Sequence, residues 1–271
     1  MQCKTAKSLG ELEDTPNNVW GTTDYINRNE PVVMFGLYDL RDYWALWRHK
    51  GKKYILWAGS DIRNLVNGFI FNDGKLRWLS RMCPGFKFIL KHILNKAEHW
   101  VENIVEYEAL KKYGIISKVC PSWLGKIDLP LSYYWKKNPQ VYISCGKDRQ
   151  IEYGYGIIEK IAPQLPRITF HLYGDTWITK QPNIIVHGRV SKEQMNEEIK
   201  EMQCGLRLNE FDGFSEITAK ATLMGQWAIT KIPYPYIPFY KTEEELIYIL
   251  KGLQLTYEPN LKGREYYQKT L

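Results

Sequence analysis

The sequence predicts an α/β protein built on parallel sheets, and three observations carry that expectation. Short apolar runs end in glycine at 31–36, 53–59, 141–146 and 168–174. Continuous apolar runs of that kind suit strands buried on both faces, as parallel strands are. From residue 141 onward these runs alternate with helical stretches, the pattern of βαβ units. Helix starts also carry capping signatures: Asn103 stands three residues before Glu106, and Thr242 three before Glu245.

Taken in order, residues 1–30 are polar, with Pro16 and little periodicity, and read as an irregular lead-in. The runs 31–36 and 53–59 are the first two strands. Ser60 and Asp61 stand before Ile62, Leu65 and Val66 as a capped helix start. Residues 67–98 mix aromatic, basic and apolar side chains with Gly68, Gly74 and Gly85 and give no clear period. Residues 99–102 suit a short strand. Asn103 opens a helix that runs to Tyr113, with Gly114 in the C-cap position. Pro121, Pro130 and Pro139 make 120–140 the linker. Beyond it, strands are expected at 141–145, 168–173, 183–187, 204–208 and 226–230, with helices at 155–161, 192–203 and 215–225. A last helix opens at Thr242, places Leu246, Ile249 and Leu250 on one face and closes at Gly252.

The bulk properties narrow the partners. The formal net charge of +7 suits an anionic ligand such as a nucleoside diphosphate, a nucleic acid or an acidic lipid surface. No basic run is long enough to be a nucleic-acid tail; Arg48-His49-Lys50-Gly51-Lys52-Lys53 is the densest cluster. Ten Trp and nineteen Tyr exceed what a core of this size needs, so some rings are expected on ligand-contacting surfaces. The five cysteines have neither zinc-ligand nor C-x-x-C spacing. They read as reduced thiols of a cytoplasmic protein, with Cys120, Cys145 and Cys204 buried at strand ends. The first fourteen residues, through Asp14, are polar and unlike a secretion signal, and no window reaches the ~18 apolar residues of a membrane span.

In parallel sheets ligands bind beyond the carboxyl ends of the strands. That rule singles out Gly146-Lys147, Gly174-Asp175, Gly188-Arg189 and the segment 209–215. The last leads into a helix whose first N–H groups and dipole form an anion site suited to a diphosphate. Gly213 lets backbone approach a ligand there, and Asp212 and Glu216 can bond sugar hydroxyls. The same pattern also fits an N-capped surface helix whose acids only complement the dipole. Lys147 and Arg149 can clamp phosphate or simply be solvated. Asp61 either touches a substrate or caps its helix, and Asp39, Arg41 and Asp42 are unranked loop candidates.

The segment 209–225 resembles the C-terminal signature of GT-B glycosyltransferases, in particular the large retaining family with a Glu-x7-Glu motif. Asp212, followed by Gly213-Phe214-Ser215, takes the place of the first acid, and Ala221 and Gly225 match the residues after the second. The second acid itself is replaced by Lys220, which cannot accept hydrogen bonds from a ribose. The segment 143–147 resembles the family's first C-terminal strand and turn. Lys147 stands in the place of an arginine that clamps the diphosphate, and Arg149 is the candidate for a second cation. The segments 173–175 and 186–190 resemble the next two strand ends, which brings His187 and Arg189 to the donor site. The turn 56–61 is similar to a Trp-x-Gly-Ser/Thr-Asp turn of some bacterial members. The family's first strand and Gly-rich loop have no counterpart in residues 1–30, so the acceptor domain is expected to be trimmed.

What the resemblance implies is two Rossmann-like domains with parallel sheets facing across a cleft. Residues 1–130 form the acceptor side and 131–240 the nucleotide-sugar side, and the helices of 241–271 pack back toward the first domain. The implied reaction moves a sugar from a nucleotide-diphosphate donor, UDP or GDP in type, to an acceptor hydroxyl, with retention and without a metal or other cofactor. Asp212, Lys147 and Asp61 are the expected catalytic residues. Gly146, Lys147, Arg149, His187, Arg189, Asp212, Gly213, Phe214, Ser215, Glu216 and Lys220 are the expected donor-site residues. The acceptor is a glycan, a polysaccharide or a lipid-linked saccharide, with peripheral membrane contact possible. Two other readings stay open: a phage-type DNA-base glycosyltransferase, and a nucleotide-sugar-binding protein that has lost catalysis, for which Lys220 speaks. A dinucleotide-dependent epimerase is disfavoured, because no Gly-x-Gly-x-x-Gly follows a strand.

Overall fold

The computed structural model describes residues 1–12, 15–70 and 75–271. Asp14 and Gly74, noted above, lie outside the described residues. The chain divides into two compact units. Unit 1 comprises Met1–Gly125 with Phe211–Gly213, and unit 2 comprises Lys126–Glu210 with Phe214–Leu271.

Unit 1 holds a six-stranded parallel sheet in the order β2 (Thr23–Asp24), β1 (Gln2–Thr5), β3 (Val32–Phe35), β4 (Lys53–Leu56), β5 (Glu98–Val101) and β6 (Lys118–Val119). Strand β1 corrects the reading of residues 1–30 as irregular. It pairs with β3 through all four of its residues, and α1 (Thr15–Trp20) precedes β2. Four helices follow the strands from β3 to β5: α2 (Leu40–Arg48), α3 (Ser60–Val66), α4 (Lys75–Met82) and α5 (Phe86–Leu94). Helix α6 (Ile104–Tyr113) joins β5 to β6. One face of the sheet packs Val32, Met34, Ile55 and Val101 against Leu46, Ile62, Leu90 and Leu110 of these helices. The other face is smaller and gathers Cys3, Val33, Phe35 and Leu56 beneath Trp20 and Trp100. Asp39 caps α2 in a reciprocal box with Asp42, so both of these loop candidates serve the helix end.

Residues 120–139 contain no helix or strand, as the prolines predict. Unit 2 is a five-stranded parallel sheet in the order β11 (Trp227–Thr230), β10 (Cys204–Arg207), β7 (Gln140–Ser144), β8 (Thr169–Tyr173) and β9 (Ile184–Gly188). Helices α7 (Tyr155–Ile161), α8 (Lys192–Ile199) and α9 (Glu216–Leu223) alternate with the strands. The last two, α10 (Glu243–Leu253) and α11 (Leu261–Thr270), pack on α7 and α9 of their own unit. Helix α10 runs one residue past Gly252, where it was expected to close. The strand order reverses at β7, which pairs with β10 on one side and β8 on the other. That reversal creates the switch point where open α/β sheets bind ligands. Of the three cysteines expected to be buried, Cys145 and Cys204 are, while Cys120 is exposed, because it follows the two-residue edge strand β6.

Candidate functional site

In unit 2 the loops leaving β7 and β8 are tied together. Gly146 and Lys147 leave β7, and Asp148 turns the chain in the left-handed region, at φ 59°. Asp175, just past β8, accepts hydrogen bonds from the Asp148 N–H and the Gln150 amide, both at 2.7 Å. Those backbone bonds, from Asp148 and then Thr176, hold the Asp175 carboxyl below the usual range, with Arg189 and Lys147 adding to the effect. Gly174 is required here: its φ is 98°, and a Cβ would stand 2.0 Å from the Cys145 carbonyl oxygen.

Cations gather at these strand ends. Lys147 is exposed. Arg149 forms a two-pronged pair with Glu152, at 2.7 and 2.9 Å, and lies 4.9 Å from the Tyr153 ring centre. Arg189 reaches the Gly174 carbonyl at 3.4 Å. Arg207, the last residue of β10, lies 4.1 Å from the same Tyr153 ring. Burial pushes the Cys145 thiol up at the exit of β7, and the positive charges of Arg207 and Arg189 oppose that shift. Four positive charges beside strand ends can balance a diphosphate.

His187 behaves differently from those cations. It stacks on Tyr173 at 4.1 Å, shares a 2.9 Å hydrogen bond with His171 and meets Glu198 at 3.3 Å. Burial lowers its pKa although Glu198 opposes the shift, and burial takes His171 down to about 4. The pair is therefore neutral at neutral pH and offers hydrogen bonds rather than charge.

The segment after β10 leads into α9. Ser215 is the N-cap, its Oγ accepting the Thr218 N–H at 3.2 Å. The helix geometry leaves the N–H groups of Glu216 and Ile217 without partners in their own turn. Phe214 is buried, stacked on Tyr267 at 4.8 Å and edge-on to Tyr234 at 5.2 Å, so it anchors the helix start. Lys220 pairs with Glu216 at 2.5 Å and bonds Asn196. Partial burial pushes the Glu216 carboxyl up, but Lys220 and Lys192 outweigh it and hold it below its usual range.

Asp212 and Gly213 group with unit 1, where they meet a cluster of acids. Asn103 caps α6 and donates its side-chain N–H to the Asp212 carbonyl at 2.7 Å. A Cβ on Gly213 would stand 1.9 Å from a Glu102 carboxylate oxygen, so a larger residue there would displace the Glu102 side chain. Ser122 donates to the other oxygen of Glu102. Glu106 is fully buried. Its Oε2 accepts the Glu102 N–H at 2.7 Å, and its Oε1 has no partner. Burial first, then the charges of Glu102, Asp61 and Asp212, push the Glu106 carboxyl far above its usual range. Asp61 is also fully buried and accepts N–H bonds from Leu37, Ala58 and Ile62 at 2.8–3.1 Å. Burial raises it to about 7 against those bonds. It thus ties the turn after β3 to the start of α3, while Gly59 occupies the N-cap. Among the described residues no three His, Cys, Asp or Glu side chains form a metal-holding group.

No family model and no curated protein matches the chain by sequence. Solved structures match it by fold. TarM superposes with a TM-score of 0.62 at 14% identity, covering 96% of this chain and 55% of TarM. Sucrose-phosphate synthase from Thermosynechococcus elongatus gives 0.58 at 12% identity, covering 89% of this chain and 69% of that one. HepE from Anabaena, solved with UDP and glucose, gives 0.56 at 11% identity, covering 89% of this chain and 73% of that one. The chain has the GT-B fold. It spans little more than half the length of TarM.

Within the GT-B fold, unit 2 brings Gly146, Lys147, Arg149, Arg189 and His187 to neighbouring strand ends, with Ser215 and Glu216 at the start of α9 and Lys220 one turn further along it. Asp212 and Asp61 belong to unit 1 instead. Sequence reasoning missed Arg207, which sits inside a strand rather than after it. It also missed Glu102, whose neighbour Asn103 drew attention only as a helix cap.

Proposed function

We propose that this protein transfers a sugar from a nucleotide-diphosphate sugar to an acceptor hydroxyl. The observation that carries the reading is the set of cations at the β7, β9 and β10 exits on a GT-B scaffold. The departing nucleoside diphosphate gains negative charge, and Lys147, Arg189, Arg207 and the first turn of α9 would stabilise it. The donor is UDP- or GDP-linked, and the course is retaining and independent of metal. In that course the departing phosphate takes the acceptor's proton, and Asp212 bonds the donor sugar. The acceptor is a glycan, a polysaccharide or a lipid-linked saccharide.

One observation favours a second reading, donor binding without turnover: Lys220 replaces an acid and is committed to Glu216 and Asn196. A thermal-shift series with UDP, GDP and their sugar conjugates tests both. Ligand at 100 times its Kd stabilises a fold by about 2.7 kcal/mol. A shift with one nucleoside diphosphate, together with donor consumption, supports transfer. Asp212→Asn and Lys147→Ala are then expected to lower turnover by about 10²-fold with little change in Tm. A shift without donor consumption selects the second reading, and no shift with any nucleotide removes both.

A further inference from the structure

We propose that the outer face of α2, α4 and α5 docks unit 1 on an anionic lipid bilayer, with a cationic cleft beside α2 receiving a lipid phosphate. The inference stands whether or not the sugar-transfer reading does.

The three helices turn large apolar side chains to solvent. Helix α4 exposes Trp78 (60%) and Met82 four residues later, on one helical face. Helix α5 exposes Phe88 (76%) and Ile89 while its Leu90, Ile93 and Leu94 fill the core. Helix α2 exposes Trp44 and Trp47, whose rings lie 4.8 Å apart, and Arg48 sits over Trp44. Helix α5 packs against both α2 and α4, so the three form one layer. Apolar groups exposed in such number mark a contact surface.

The charge on this layer has one sign. Between Lys75 and Ala97 the sequence has six Lys or Arg and no Asp or Glu. The single acid within α2, Asp42, is buried and bonded to Lys4 at 2.8 Å, so none of the three helices exposes a carboxylate. Beside Trp47 opens a cleft of about 390 Å³ lined by Arg28, Asn29, Arg48 and Lys50. The backbone holds its two walls together, because the Lys50 and Gly51 N–H groups both bond the Arg28 carbonyl.

Exposed Trp and Phe among Lys and Arg match the interfacial zone of a bilayer. There the rings lie at the headgroup level and each cation gains from anionic lipid. Duplex DNA would use the cations but would leave Phe88, Ile89 and Met82 in water, since its contacts are made with phosphates and base edges. The apolar component therefore selects the lipid surface.

Vesicle flotation tests the proposal. The intact protein is mixed at low salt with vesicles of phosphatidylcholine alone, or of equimolar phosphatidylcholine and phosphatidylglycerol. Co-flotation with the anionic vesicles, weakened by salt and small with phosphatidylcholine alone, is the expected result. The exposed-site variants Trp78→Ser/Phe88→Ser and Arg48→Glu/Lys50→Glu are each expected to lower the bound fraction by about tenfold or more, with Tm unchanged. Should the aromatic variant fail to fold, Arg81→Glu/Lys87→Glu makes the same test with exposed cations. Absence of wild-type flotation, or variants that float as well as wild type, overturns the proposal. So does a surface whose mutation leaves flotation intact while abolishing binding of duplex DNA or a dimer seen by sedimentation.

Discussion

A carboxyl moved out of water favours its neutral form unless charge or hydrogen bonds compensate. Glu106 is compensated on one oxygen only, by the Glu102 N–H, and faces three other acids. Asp61, with three N–H donors, still titrates at about 7. Both groups hold a proton in the folded chain that the unfolded chain releases near pH ~4. The fold therefore binds more protons than the unfolded state above that pH, and stability falls as pH rises. For Asp61 the fall runs from about pH 4 to about 7 and then levels off; for Glu106 it extends further. Glu106→Gln keeps an acceptor for the Glu102 N–H and removes the titration. It is expected to flatten the upper part of the Tm-against-pH curve and to raise stability at pH 8 by about 1–2 kcal/mol. A variant curve parallel to that of the wild type would remove Glu106 as the cause. The sequence does contain this acid, but only as the partner in a capping box. Its carboxylate reaches the Glu102 N–H rather than that of the cap residue Asn103, and Glu245 does the same with Lys241 at the start of α10.

Elements with a signal of their own were legible, and those made by their neighbours were not. Strands β3, β4, β7 and β8 show as apolar runs because both faces are covered. Strand β1, Gln-Cys-Lys-Thr, has no such run. It is held by pairing with β3, by the Gln2 amide that accepts the Ile26 and Asn27 N–H groups, and by the Lys4–Asp42 pair. Tertiary partners there override composition. Helices α6 and α10 announce themselves through Asn103 and Thr242, which cap as side-chain acceptors, and in the structure Ser191 and Ser215 cap α8 and α9 in the same way. Helices α4 and α5 were obscured because they carry apolar residues both inward and outward, which blurs the 3.6-residue period. The candidate donor loops after β7, β8 and β9 were legible because a glycine marks each of those strand ends. Arg207 was not, since no break in pattern marks the end of β10. The Ser215 cap offers a check at this scale: Ser215→Ala is expected to cost about 1 kcal/mol, read as a lowered denaturation midpoint. An unchanged midpoint would mean that Phe214, packed between Tyr267 and Tyr234, fixes the helix start alone.

For the molecule as a whole, two parallel sheets were foreseen, and two are present. The net charge of +7 divides between two kinds of surface. Unit 2 holds cations at its strand ends, and unit 1 holds them among exposed rings on α2, α4 and α5. No described helix is long and apolar enough to cross a membrane. Phe211–Gly213 belong to unit 1, although residues 126–210 of unit 2 precede them in the chain. Phe211 packs against the core of unit 1, and Gly213 lies against Glu102. A ribosome releases residues 1–125 long before it reaches 211. The piece of unit 1 that lies beside Gly59 and Glu102 is therefore made only after residues 126–210. A fragment of residues 1–125 is expected to exchange its amide hydrogens around 59–62 and 102–106 faster than the whole chain does. Equal protection in the two would show that the early unit closes without its late-arriving piece.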